Sequence, residues 1–333
     1  MLARIDIRAD QRRGDLLPLR PRHRPRERAP ADRPGVFRGS GRTHRQRGCG
    51  GTRPALRRRQ VRPHRRRRRV IRRSRVSDER VEAPAARIEC WCLHGAVGHS
   101  GDWRTLSALL AQQRIASRAI DLWRFADDAS LSMPGFAAAL HAEALEEPCR
   151  AGGRVLVGYS MGGRLALHAL LEEHHPWQAA VIISAHPGLE SESDRAARRA
   201  ADREWAARAI TSDWNAFLNA WNAQAVLGGA LPRDEESAKK LAQHRQVIAR
   251  RFIDWSLGAQ APLWDRLAEI QAPVLWVAGD RDAKFLDLAR RAVDHLPAGR
   301  LAVVPGAGHR VPWEAPDVLA AEIRAFADLV TGS

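Results

Sequence analysis

Three short segments carry residues whose types and order can do chemistry. Gly158-Tyr159-Ser160-Met161-Gly162 fits the pattern G-x-S-x-G. It follows the apolar run Arg154-Val155-Leu156-Val157, which reads as a short buried strand, and precedes Arg164 to Leu171, which reads as a helix. A sharp strand-to-helix turn needs small residues around its tip because the backbone there is tight. Such a turn also aims the helix N-terminus, with its unpaired N–H groups, at whatever Ser160 attacks. A Gly-rich turn carrying a solvated serine is the plainer alternative. A serine hydroxyl is a weak nucleophile on its own and needs a base within hydrogen-bond reach, itself oriented by a third group. Two later segments supply candidates in the order Ser, acid, His. Gly279-Asp280-Arg281-Asp282 follows the strand pattern Val274–Ala278, and Pro305-Gly306-Ala307-Gly308-His309 follows a strand pattern ending at Val304.

His309 lies between a Gly-rich turn and Pro312, a poor setting for a core histidine, and is the expected base; a surface-loop histidine is the alternative. Asp282 is preferred as the orienting acid over Asp280, which directly follows Gly279 and can simply cap the turn. An oxyanion needs two convergent N–H groups. Met161, the residue after the serine, offers one. The loop Leu93-His94-Gly95-Ala96-Val97-Gly98 offers the other through Ala96. No Walker loop, dinucleotide fingerprint or zinc motif appears, so no cofactor and no metal is expected.

These segments need a frame that brings strand ends together. Strand and helix patterns alternate from Ala85, which argues for a mainly parallel sheet. Strands are expected at Ile88 to Leu93, Ser117 to Leu122, Arg154 to Val157, Ala179 to Ser184, Val274 to Gly279 and Arg300 to Val304. Helices are expected at Trp103 to Gln113, Met133 to Glu146, Phe285 to Leu296 and Pro316 to Val330. Residues from about 189 to 266 are rich in Ala, Arg and Trp, carry no strand signal and read as a helical lid inserted between sheet strands. The candidate residues then lie past the carboxyl ends of strands, where open α/β sheets place their ligands.

The net charge of +17 averages two unlike parts. Residues 1–80 hold 28 Arg, no Lys and 7 acidic residues, a net of +21; the remainder holds 27 basic and 31 acidic residues, a net of −4. Residues 1–84 are expected to be a disordered leader, since Pro and Arg abound and apolar residues are few. It reads as a nucleic-acid arm, a solvated tail, or, favoured by the exclusive use of Arg, translation from a start placed too far upstream. Phe37 is the one aromatic there, so sequence-specific RNA recognition is not expected. No apolar run reaches the ~20 residues that cross a bilayer, and no secretory h-region is evident. Cys49, Cys90, Cys92 and Cys149 lack metal-ligand spacing, and Cys90 and Cys92 share one face of a strand; a reduced cytoplasmic setting is expected.

Over residues 88–330 the chain resembles the α/β-hydrolase superfamily, and within it the MenH type, the 2-succinyl-6-hydroxy-2,4-cyclohexadiene-1-carboxylate synthases of menaquinone biosynthesis. The resemblance is carried by Gly-Tyr-Ser-Met-Gly-Gly-Arg at 158–164 and Ser-Ala-His-Pro-Gly-Leu at 184–189. Asp194-Arg195-Ala196-Ala197-Arg198, Asp202-Arg203-Glu204-Trp205-Ala206 and Phe217-Leu218-Asn219-Ala220-Trp221 extend it through the lid. Gly279 to Phe285, and Ala307-Gly308-His309 with Glu314 and Pro316, complete it. It implies an α/β-hydrolase fold with a helical lid and a cofactor-independent C–O lyase. In that reaction a Ser160, His309 and Asp282 triad removes a proton and pyruvate leaves a succinyl-cyclohexene carboxylate. It further implies Ala96 and Met161 as the oxyanion donors and Tyr159, Arg164, Arg198, Trp221 and Arg245 as substrate-binding residues, with Arg195 the fallback for Arg198. Arginine suits a polycarboxylate because its fork pairs with carboxylate bidentately.

The chain departs from relatives at two places. Asp121-Leu122-Trp123-Arg124-Phe125-Ala126 stands where most carry Asp-Leu-Pro-Gly-His-Gly, which makes Trp123 and Arg124 candidate pocket residues. Ala96 stands where a bulky residue is usual. The strands that usually precede the first core strand are not evident before Ile88. The competing function is a carboxylesterase using the same residues through an acyl-enzyme; a third is a binding module whose Arg-rich leader holds nucleic acid.

Overall fold

The computed structural model describes residues 78–83, 86–125, 130–149, 152–229 and 235–332. The expected leader, residues 1–84, lies mostly outside them. Seven strands form one sheet: β1 (Glu79–Val81), β2 (Ile88–Leu93), β3 (Ile115–Ile120), β4 (Arg154–Tyr159), β5 (Ala179–Ile183), β6 (Val274–Gly279) and β7 (Gly299–Val304). Their order is β1-β3-β2-β4-β5-β6-β7, with β1 antiparallel to β3 and every other pairing parallel. The central strands are buried along their whole length, as expected where helices cover both faces of a parallel sheet.

Side chains alternate across that sheet. Along β4, Val155, Val157 and Tyr159 face a core built with α1 (Arg104–Gln112) and α10 (Pro316–Thr331), through Leu106, Leu110, Ile323 and Phe326. Leu156 faces the other core, built with α2 (Met133–Glu146), α3 (Met161–Leu170) and α8 (Ala283–Asp294), through Phe136, Leu165, Leu286 and Ala289. Cys90 and Cys92 both face the α1 and α10 side. Burial, and then the neighbouring Glu89, push the Cys90 thiol up to about 12, so it packs as an apolar group.

Between β5 and β6 the chain leaves the sheet for α4 (Glu192–Thr211), α5 (Trp214–Asn222), α6 (Glu235–Gln243) and α7 (Arg245–Asp254), the expected insertion. Ser191 caps α4 and Asp213 caps α5 by accepting N–H bonds from Asp194 and Ala216. A short α9 (Val311–Glu314) precedes α10.

Two expectations are corrected. The domain does not begin at Ala85: β1 lies before it, and the side chain of Asp78, 7% exposed, is paired inside the fold. A three-residue strand beside an Arg run is too short to show an alternating pattern. The third strand spans 115–120, not 117–122, because the chain turns into a tight 3-10 turn at Leu122–Phe125.

Candidate active site

Ser160 stands between β4 and α3 with φ 51° and ψ −108°, a left-handed conformation that L residues adopt at a cost. The turn is fixed from both sides. The Ser160 N–H donates to the Ile183 carbonyl at 2.8 Å. Gly162 packs α3 directly on the end of β2: a Cβ there would lie 2.1 Å from the Leu93 carbonyl oxygen and 2.6 Å from that of His94. The sequence therefore needs glycine at 162 for the elbow to seat.

The loops after β6 and β7 deliver the other two groups. Asp282 caps α8, accepting the Phe285 N–H through Oδ1 at 3.3 Å, and its Oδ2 lies 2.8 Å from His309 Nδ1. His309 Nε2 lies 3.2 Å from Ser160 Oγ. With Nδ1–H donating to the carboxylate, Nε2 holds a lone pair and accepts from the serine hydroxyl. Asp280 instead accepts the Gly306 N–H at 2.8 Å, the turn-capping role left open for it. Glu314 ties the His309 loop by accepting from the Gly308 and Arg310 N–H groups, and the Phe285 ring lies 4.4 Å from the His309 ring.

A cavity of about 320 Å³ opens over Ser160 and His309. Ala96 and Met161 line it. Met161 is the first residue of α3, so its N–H has no helix carbonyl to bond. The Ala96 turn is held from behind. His94 Nδ1 bonds the Gly95 carbonyl at 2.9 Å, and Nε2 accepts the Leu122 N–H at 3.1 Å.

Arg164, Arg198 and Trp221 reach the same cavity. Arg164 is buried; burial, then the nearby Arg198 charge, lower its pKa to about 9. It donates to the Trp255 carbonyl at 2.8 Å and Gln260 Oε1 at 3.2 Å, which ties the elbow to the base of the lid. Arg198 gives its Nε to both Asp202 oxygens at 2.9 Å.

Other expected site residues are placed elsewhere. Arg245 is not on the cavity wall. Its guanidinium caps the end of α4, donating to the carbonyls of Ala209, Ile210 and Ser212 at 2.7–2.9 Å. Tyr159 does not line the main cavity but a small recess of about 20 Å³ that shares Ala96 and Trp221 with it. As an odd-numbered β4 residue it faces the α1 side, edge-on to Trp313 at 5.1 Å and behind His309 at 5.6 Å. Burial pushes its phenol pKa up, with Arg310 acting the other way. Arg195, the fallback for Arg198, pairs with Glu192 outside the cavity. Arg124 is turned into the body, against Asp78 and Glu143, and Trp123 is buried with its indole N–H on the Gly98 carbonyl at 2.6 Å. Trp123 lines only a small recess next to the cavity, of about 30 Å³. Sequence reasoning missed His186, Trp205 and Lys284 as lining residues. Their one signal was position, just past β5, on the lid and just past β6. Among the described residues no cluster of three metal-ligating side chains occurs, and no helix is long and apolar enough to cross a membrane.

A serine on a strand-to-helix elbow, a histidine and an aspartate after later strands, and a helical insertion above them define an α/β hydrolase. Residues 92–322 match the family model described as the alpha/beta hydrolase family, and the chain belongs to that family. Within it the chain is 34% identical over 240 residues to the 2-succinyl-6-hydroxy-2,4-cyclohexadiene-1-carboxylate synthase of Yersinia pestis (strain Pestoides F), covering 70% of this chain and 85% of that protein. The synthase of the same name from Yersinia pseudotuberculosis serotype O:1b (strain IP 31758) matches at the same identity and coverage. Among solved structures, MenH from S. aureus superposes with a TM-score of 0.67 at 23% identity, over 77% of this chain and 99% of that one. A thermophilic esterase from Thermogutta terrifontis superposes at 0.58 and 18%, over 76% and 93%. These two structural likenesses speak to the fold.

Proposed function

We propose that this chain is a 2-succinyl-6-hydroxy-2,4-cyclohexadiene-1-carboxylate synthase, a cofactor-independent C–O lyase that expels pyruvate from a succinyl-cyclohexene carboxylate. Ser160 gives its proton to His309 Nε2 and takes a proton from carbon beside the succinyl carbonyl. The C–H electron pair forms the new double bond, the C–O bond to the enolpyruvyl group breaks, and the proton held by His309 returns to the departing enol oxygen. Asp282 holds the imidazole in the required tautomer and stabilises the imidazolium. The N–H groups of Met161 and Ala96 receive the oxyanion that develops as the proton leaves. No acyl-enzyme forms and no cofactor is required. The substrate is a small polycarboxylate, and nucleic acid and membrane have no part in the reaction. A reducing cytoplasm suits the buried thiols of Cys90 and Cys92.

The observation that carries this reading is that the cavity holding Ser160 and His309 also holds Arg164 and Arg198. Arg164 is a buried guanidinium whose acceptors among the described residues are all neutral, costly to keep unless an anion meets it, and Arg198, paired with Asp202, adds a second cation at the same cavity; a neutral ester has no use for them. The test is pyruvate release from the enolpyruvyl substrate, generated in situ by the preceding synthase. Release that vanishes in Ser160→Ala supports the lyase. No release above background, with Ser160-dependent cleavage of a simple aryl ester, overturns it in favour of the esterase.

A further inference from the structure

The cavity has a second polar corner that the mechanism leaves unused, at the adjacent ends of β5 and β6. His186 follows β5, and Lys284 is the second residue of α8 after β6; both line the cavity with Ser160. Lys284 has no carboxylate partner or hydrogen-bond acceptor among the described residues; its ammonium lies 5.9 Å from the Phe285 ring centroid. Its position makes that state informative. A cation in the first turn of a helix opposes the macrodipole, which favours anions there. Lys284 is exposed, so water solvates its charge, and no ion pair or hydrogen bond among the described residues competes with an anion entering the cavity beside it.

His186 complements it. Its Nδ1 accepts the Gly188 N–H at 3.0 Å, so the neutral ring must carry its proton on Nε2. Burial, and then the cations Lys284, Arg164 and Arg198, lower its pKa to about 4, so the ring stays neutral and remains an N–H donor. A neutral donor beside an unpaired ammonium matches the two oxygens of one carboxylate. Arg164 and Arg198 sit on the α3 and α4 sides of the same cavity, and part of each guanidinium is engaged by the chain itself.

We propose that His186 and Lys284 form a second carboxylate-recognition locus, which holds a different substrate carboxylate from the one paired with Arg164 and Arg198. This deepens the lyase reading and rests on it for the identity of the substrate. Two separated loci select for a dianion of matching span over a monoanion of the same shape, and they fix the ring's orientation over Ser160.

The test separates the locus from the reaction. Binding of benzene-1,3-dicarboxylate and of its monomethyl ester is measured by calorimetry on wild type, Lys284→Met, Lys284→Arg and His186→Phe. Wild type should prefer the dianion by about tenfold or more, the size of one charged hydrogen bond. Lys284→Met and His186→Phe should each lose most of that preference, and Lys284→Arg should keep it. In turnover, Lys284→Met should raise KM by about tenfold, far more than it alters kcat. Lys284 is exposed at the rim, so its variants fold even if His186→Phe does not. A wild type without dianion preference, or a Lys284→Met protein that retains it, overturns the locus. Failure of wild type to release pyruvate, with the dianion preference intact and Lys284-dependent, overturns the lyase and leaves the locus standing.

Discussion

Replacing Asp78 by alanine tests whether the segment before β2 is a working part of the domain. Asp78 lies in a buried ionic cluster under the 121–125 turn. Its Oδ2 accepts from Arg118 Nε at 2.9 Å and lies 2.8 Å from Arg118 Nη2. Its Oδ1 lies 2.8 Å from Arg124 Nε, an ionic contact without hydrogen-bond alignment, and accepts the Asp121 N–H at 3.2 Å. Both arginines are under 10% exposed, and both also pair with Glu143 at 2.7–2.8 Å. The two guanidinia therefore share two buried carboxylates, and Arg118 Nη1 has a third, partly exposed one, Glu147 at 3.4 Å. Removing Asp78 strips each arginine of one buried partner, with only the partly exposed Glu147 to offset the lost charge, and breaking a buried pair from one side typically costs ~3–5 kcal/mol. Glu143 still holds both arginines, so the lower end applies, about 3 kcal/mol. For a domain of about 250 residues this corresponds to a fall in Tm of roughly 6–12 °C.

The same substitution reaches the site. Asp78 fixes the Asp121 backbone, the next residue gives its N–H to His94, and His94 holds the carbonyl of Gly95 beside Ala96. Asp78→Ala should therefore lower kcat by several-fold at a temperature where the variant is folded, with KM less affected. Asp78→Asn, which keeps an acceptor but not the charge, should fall between. Thermal unfolding followed by circular dichroism and steady-state turnover at 20 °C are the two readouts. A Tm within 2 °C of wild type would refute the reasoning, because the cluster would then be no more than a screened surface network.

Two further outcomes are expected. Arg245→Ala should lower stability, since carbonyls at the end of α4 lose their donor, while KM stays near the wild-type value; Arg198→Ala should raise KM by tenfold or more. Equal KM effects from the two would place Arg245 back at the substrate. His168 is buried, and burial, then Arg164 and Arg266, depress its pKa from 6.5 to about 4. The unfolded chain binds that proton below about 6.5 and the folded one only near 4, so the unfolded state holds more protons between these values. Stability should fall as pH drops through that window. His168→Leu should flatten the acid limb of Tm against pH, and parallel curves for variant and wild type would rule the contribution out.

What was legible in the sequence is what short-range geometry dictates. The elbow shows because a left-handed serine between a buried strand and a helix that touches β2 demands glycine at fixed offsets, and Gly162 meets that demand. The acid and histidine show because each follows a strand end with a turn-forming run. Arg245 was not legible: its place depends on how α7 packs on α4, and no local pattern encodes which carbonyls a guanidinium 33–36 residues away will cap. β1 escaped because three residues cannot display a period. Tyr159 is a different case. Val155, Val157 and Tyr159 share one side of β4 by simple alternation, and that side faces α1 and α10; Tyr159, at the end of the strand, also lines a recess with Trp221 and Leu227 of the lid. Alternation puts Tyr159 behind His309, and the recess it lines meets the cavity at Ala96 and Trp221, the direction in which the family likeness assigns it to the substrate. Alternation fixes the face of a buried side chain, because moving one residue to the opposite face of a strand moves every other residue with it; at the last residue of a strand it does not fix which cavity the far end of the ring meets, and that is where the likeness adds what the pattern lacks.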